Sequence, residues 1–119
     1  IYKTELDPRI GFLHEPNYRA LSLHLDLAEI FKPILGDTLI FNMLNKKEIT
    51  AKDFQTDAGR IKFSNDAVQK IELKMISHLC ETLTVGGREL TWRQVIRREA
   101  NKLKKCICED APYEGFRWE

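Results

Sequence analysis

The residues best suited to chemistry lie in the stretch GFLHEPNYRALSLHLDLAE, residues 11–29. There a His-Glu pair precedes a leucine-rich run that carries Ser22, His24, Asp26 and Glu29. Read as a helix, at about 100° per residue, Ser22, Asp26 and Glu29 share one narrow face and His24 lies nearly opposite Asp26. Read as a strand, Ser22, His24 and Asp26 share a face and Glu29 leaves it. The two readings name different sites. On the helix, two carboxylates beside an apolar surface repel one another and lose hydration, which costs several kcal/mol each if they stay unpaired. A divalent cation would offset that cost: oxygen donors suit Mg²⁺ or Mn²⁺, and an imidazole from His14 on the preceding loop tilts the choice towards Mn²⁺. Lys32, beyond Glu29, is placed to pair with the stripe or with a bound phosphate. The competing explanation is that Ser22, Asp26 and Glu29 form the solvent face of an amphipathic helix and His14 is an ordinary loop residue. His24 and His78 read as structural or surface residues.

The elements that must position these groups follow from pattern and punctuation. Asp7-Pro8 stops the opening segment, and residues 7–18, with Gly11 and Pro16, read as a loop. Residues 20–31 alternate like a strand, but they are Leu, Ala and Glu rather than β-branched, which favours a helix buried on most sides. Pro33 kinks it or opens a second helix over 34–45. Thr50 to Asp53 has the form of a capping box, and an extended piece is expected at Arg60 to Phe63. Ser64 or Asn65 caps a helix with the stripe Val68, Ile71, Met75, Leu79, Leu83, which Gly86-Gly87 ends. Thr91 to Gln94 is a second capping box, opening a last helix with the stripe Trp92, Ile96, Ala100, Leu103, Ile107. The tail from Cys108 is expected to be irregular. The fold class is therefore all-α, a compact multi-helix domain with at most a short extended piece near 60–63.

Composition bounds the partners. A hydrophobic content of 43%, a charged content of 31% and a net charge of +1 describe an ordinary globular domain, so any nucleic-acid contact must come from local clustering. The last helix supplies such a cluster: Arg93, Arg97, Arg98, Lys102, Lys104 and Lys105 stand against Glu99 alone. That face could track a phosphate backbone, or be no more than a solvated surface. Trp92 and Trp118 read as core anchors rather than base-stacking platforms. No apolar run approaches the roughly 18 residues of a membrane span. Cys80, Cys106 and Cys108 form no disulfide framework or zinc pattern, so free thiols in a reducing cytoplasm are expected. Because Ile1 is not a start methionine and IYKTEL reads like the last turn of a helix, the chain is expected to be part of a longer protein.

Four stretches carry a resemblance. GFLHEP, SLHLDLAEIFKPIL, LIFNMLNKKEI and WRQVIRREANKL, in this order and spacing, resemble the C-terminal helical domain of the CRISPR adaptation integrase, a metal-dependent DNA nuclease and integrase that inserts spacers into CRISPR arrays. The likeness runs from about Leu6 to Trp118, and its most specific part is the H-E-P loop followed by L-D-L-x-E-x-F-[KR]-P. It implies a catalytic set of His14, Asp26 and Glu29, with His14 and Glu29 binding Mn²⁺ or Mg²⁺ and Asp26 supporting them. A third ligand, a glutamate on an upstream helix, has no counterpart in this chain, and neither has the family's N-terminal β-domain. The chain would then be a single helical domain, residues 1–119, supplying two ligands of three. Double-stranded DNA is the implied substrate, met by Arg19, Lys32, Arg97, Arg98 and Lys102. A homodimer of the full-length protein and a small ferredoxin-like adaptation protein are the implied partners. The rival from another class is a non-catalytic helical module that scaffolds a nucleoprotein assembly.

Overall fold

A computed structural model describes residues 1–15 and 21–118. A 3₁₀ turn, Tyr2–Thr4, opens the chain, and turns and bends follow through residues 7–14. The leucine-rich run is helical: α1 spans Ser22–Phe31. Its start is tied under the preceding loop, where the Leu23 N–H donates to the Pro8 carbonyl at 3.1 Å. Leu23, Leu27 and Phe31 are buried, whereas Leu21 and Leu25 are about two-fifths exposed, so the helix is less enclosed than its composition predicts.

Pro33 neither ends the helix nor starts a new one. It has no N–H to give back to the preceding turn, and the chain accommodates this by widening into a π-helical segment, Lys32–Asp37, that runs on into α2, Thr38–Asn45. Thr38 closes the wide turn twice, its N–H and its hydroxyl both donating to the Pro33 carbonyl, the latter at 3.0 Å.

A 3₁₀ turn at Ala51–Asp53 carries the expected capping box, with the Thr50 N–H donating to Asp53 Oδ2 at 2.8 Å. Strands β1 (Phe54–Asp57) and β2 (Arg60–Phe63) then form an antiparallel hairpin, Phe54 facing Phe63 and Asp57 facing Arg60. Helix α3, Asn65–Leu79, is capped by Ser64, whose Oγ accepts the Ala67 N–H at 3.2 Å. A second hairpin pairs β3 (Thr82–Val85) with β4 (Arg88–Thr91). Helix α4, Trp92–Glu109, follows directly, its capping box closed by the Thr91 N–H on Gln94 Oε1 at 2.8 Å and the Gln94 N–H on Thr91 Oγ1 at 3.3 Å.

The fold is thus mostly helical but not all-α. The extended piece at 60–63 is half of a hairpin, and the expected helix from residue 64 to Gly86 stops at Leu79. Two causes are local. Thr82, Thr84 and Val85 are β-branched and favour the pleated strand. Gly86 and Gly87 sit at φ +57° and +75°, the pair of positive values that a two-residue I′ hairpin turn requires, and Ala58 (+48°) and Gly59 (+76°) make the same turn in the first hairpin. Leu83 consequently packs from a strand, not from the helical stripe.

The larger core cluster joins Leu27, Phe31 and Leu35 to Trp92, Val95 and Ala100, so α1 and its π-helical continuation lie against α4. A smaller cluster of Leu39, Met43 and Ile49 meets Ile71 and Met75 of α3. Ala67 is the one fully buried residue of α3, whose stripe is otherwise half-covered, and Ile107 at the end of the α4 stripe is exposed. Trp92 is buried and Trp118 stacks on it at 5.0 Å, with the indole planes 9° apart. Among the described residues no helix is long and apolar enough to cross a membrane.

Candidate metal centre

The polar stripe of α1 is divided. Ser22 and Asp26 are buried, at 0% and 1% exposed, beneath the loop of residues 11–15; Glu29, one turn further along, is exposed. This excludes the plain solvent-face explanation for the first two positions.

The loop closes on the Asp26 carboxylate with its main chain. Oδ2 accepts the N–H groups of Phe12 at 2.7 Å and Leu13 at 3.3 Å, and Oδ1 accepts the His14 N–H at 3.0 Å. His14 Nδ1 stands 2.7 Å from Oδ1 as well. Burial pushes this carboxyl up, the largest single influence on it, but the bonds from the imidazole and the amides together outweigh burial and hold it below the usual carboxylate range. An ionised carboxylate only accepts, so Nδ1 must carry the hydrogen, and in the neutral ring Nε2 is then the nitrogen with the lone pair. Four donors thus lie on the two oxygens of Asp26, and all of them come from the loop. The His14 side chain is 38% exposed, so its ring meets both the buried carboxylate and the surface.

Glu29 has a different environment. Its carboxylate is about half exposed and lies 3.7 Å from Lys32 Nζ, a loose ion pair one helical turn away. Among the described residues no group of three or more His, Cys, Asp or Glu side chains is gathered so as to hold a metal. The donors present, one imidazole nitrogen and one exposed carboxylate, suit a divalent cation in kind but make an incomplete set.

The basic residues of α4 separate into two kinds. Arg97 and Arg98 are exposed. Lys102 is turned inward: its Nζ lies 3.0 Å from Glu99 Oε2 and donates to the Glu114 carbonyl at 3.1 Å. Arg19 lies outside the described residues.

Sequence reasoning missed the buried Glu99, which is 1% exposed. Its Oε1 accepts the Tyr113 hydroxyl at 2.7 Å and the Phe116 N–H at 2.9 Å, fastening the tail across α4. A signal existed, since Glu99 falls on the same helical face as Trp92 and Leu103 at spacings of seven and four residues.

Comparison with known proteins agrees with this architecture. The family described as CRISPR associated protein Cas1 matches residues 1–75. A CRISPR-associated endonuclease Cas1 from Clostridium perfringens (strain SM101 / Type A) is 42% identical over 119 residues, covering 98% of this chain and 36% of the relative. One from Haloferax volcanii is 36% identical over 117 residues, covering 97% and 35%. Among solved structures, a Cas1 protein from Thermotoga maritima superposes with a TM-score of 0.80 at 36% identity, over 94% of this chain and 35% of that one. A casposase bound to integration product superposes at 0.82 with 25% identity, over 99% and 36%. The chain belongs to the Cas1 family, whose curated relatives are CRISPR-associated endonucleases, and it spans little more than a third of their length.

Proposed function

We propose that the full-length protein is a metal-dependent DNA endonuclease and integrase of CRISPR adaptation, and that this domain contributes His14 and Glu29 to its Mn²⁺ or Mg²⁺ centre. The observation that supports the reading best is the pairing of His14 Nδ1 with the buried Asp26 carboxylate at 2.7 Å. Histidines that bind metals characteristically donate the other ring N–H to a carboxylate, which fixes the tautomer and raises the basicity of the ligating nitrogen. Asp26 is then a positioning residue.

The reaction is phosphoryl transfer, in which a DNA 3′-hydroxyl attacks a phosphodiester and the former 3′-oxygen leaves. A bound divalent cation would neutralise charge on the phosphoryl oxygens and lower the pKa of the attacking hydroxyl. The chain's own residues orient and attract. His14 presents Nε2, Glu29 presents an exposed carboxylate, and Lys32 beside it meets a phosphate. Arg97 and Arg98 hold the duplex backbone by charge, and Lys102 joins them only by leaving Glu99. Double-stranded DNA, a second copy of the full-length chain and a small ferredoxin-like adaptation protein are its partners in this reading, and the cytoplasm its compartment.

The decisive variant is His14→Ala in the full-length protein. DNA cleavage and integration are expected to be abolished, with the far-UV circular dichroism unchanged and Mn²⁺ affinity lost. Activity equal to the parent would reject the catalytic reading in favour of a non-catalytic helical module.

A further inference from the structure

The loop of residues 11–14 can close on Asp26 only if nothing stands between its first residue and the helix. A Cβ built on Gly11 would lie 2.7 Å from Asp26 Oδ2, 2.7 Å from Ser22 Cβ and 2.8 Å from the His14 carbonyl oxygen. All three contacts are closer than a side-chain carbon tolerates, and two of the groups, Ser22 and Asp26, are fully buried and have nowhere to go. The other end of the loop is pinned from the same helix: the Ser22 hydroxyl donates to the Glu15 carbonyl at 3.0 Å. Residues 11 and 15 are therefore both set by Ser22, one by close contact and one by a hydrogen bond. The residues between them supply all three amides and the imidazole that meet the carboxylate.

We infer that Gly11 and Ser22 are positioning residues for the His14 imidazole, holding its Nδ1–H on Asp26 so that Nε2 is the nitrogen offered outward. This rests on the metal-binding reading of His14 for its catalytic consequence, but the orientation itself is independent of any metal. Ser22 is fully buried and Gly11 carries no side chain, so neither presents a group of its own to a ligand. Their effect passes through the loop: a methyl at residue 11, or an unsatisfied Glu15 carbonyl, lifts the amides off Asp26 and releases the ring to sample its other tautomer.

The test uses the full-length protein with ¹⁵N-labelled histidine at pH 8, the His14 signals being assigned by their loss in His14→Ala. In the parent, His14 is expected to show the Nδ1–H tautomer almost exclusively, without added metal. In Ser22→Ala and Gly11→Ala that signature should give way to a tautomer mixture, and Mn²⁺ affinity, read by electron paramagnetic resonance, should fall about 10–100-fold. Parental tautomer and parental Mn²⁺ affinity in Ser22→Ala overturn the inference, even if its melting temperature drops, because a merely structural role lowers melting alone. Should Gly11→Ala fail to fold, Ser22→Ala decides the matter by itself. Parental Mn²⁺ affinity in His14→Ala would instead sink the metal-binding reading, while the metal-free tautomer measurement still decides the positioning role.

Discussion

Asp26 shows how a charge is kept in a protein interior. Taking a carboxylate out of water is costly, and the cost is met here by three main-chain amides and an imidazole on its two oxygens. Because the folded carboxyl titrates below its ordinary value, it adds stability above the unfolded value of about 3.9 that is lost as pH falls through the folded value. Asp26→Asn keeps the shape but sets an amide NH₂ against donors. Urea denaturation should show it destabilised by about 1–3 kcal/mol at neutral pH and lacking this acid-dependent component below about pH 4. The sequence went some way at this scale. Helical spacing places Ser22, Asp26 and Glu29 on one face, which the structure bears out by making the segment a helix. That the first two would be roofed over and the third left exposed was not legible, because the roof is built from main-chain amides and from the missing side chain of Gly11.

At the scale of elements, punctuation was legible and continuity was not. Both capping boxes and the Ser64 cap stand where the letters put them, since each is a short-range bond between fixed positions. Helix ends were missed where tertiary pairing competes. The apolar stripe of α3 can be continued on paper to Leu83, but β-branched residues and the Gly86-Gly87 turn draw 82–91 into a hairpin that packs beside α4. Pro33 reads as a kink or as the start of a second helix, and is accommodated by a π-helical segment that runs on into α2. The two hairpins offer a paired test. Ala58 holds φ +48° with a Cβ that disfavours it, so Ala58→Gly should stabilise the chain by about 0.5–1 kcal/mol. Gly86→Ala, at φ +57°, should cost about the same or more, and thermal melting of the two variants would shift in opposite directions.

The whole molecule is flat, with principal extents of 50 × 40 × 21 Å and an accessible surface of 9244 Å². A compact monomer of 13.9 kDa would expose about 6,700 Å², and among the large apolar side chains left exposed here are Phe41, Leu73 and Ile10. In so thin a body a single strap counts. The tail crosses α4 through Glu99 and Tyr113 and brings Phe116 against Phe31 at 5.7 Å and Trp118 against Trp92. Burial, and then the Glu99 carboxylate, push the Tyr113 hydroxyl well above the usual phenol range. A raised acid of this kind adds stability below its unfolded value of about 10 that fades as pH climbs beyond it. Tyr113→Phe should therefore cost about 1.5–3 kcal/mol at pH 7, the worth of a hydrogen bond to a charged group, and flatten the loss of stability above about pH 10 in denaturant titrations.

The loop over Asp26 also bears on which letters are free to drift. The carboxylate is gripped by peptide groups, which every amino acid except proline carries, and the side chains of Phe12 and Leu13 point away into solvent, 57% and 72% exposed. Residues 12 and 13 can thus exchange among many types without disturbing the grip, while proline alone is barred there for want of a hydrogen. The stringency falls on the flanks instead, where one residue is defined by having no side chain and another by a single hydroxyl.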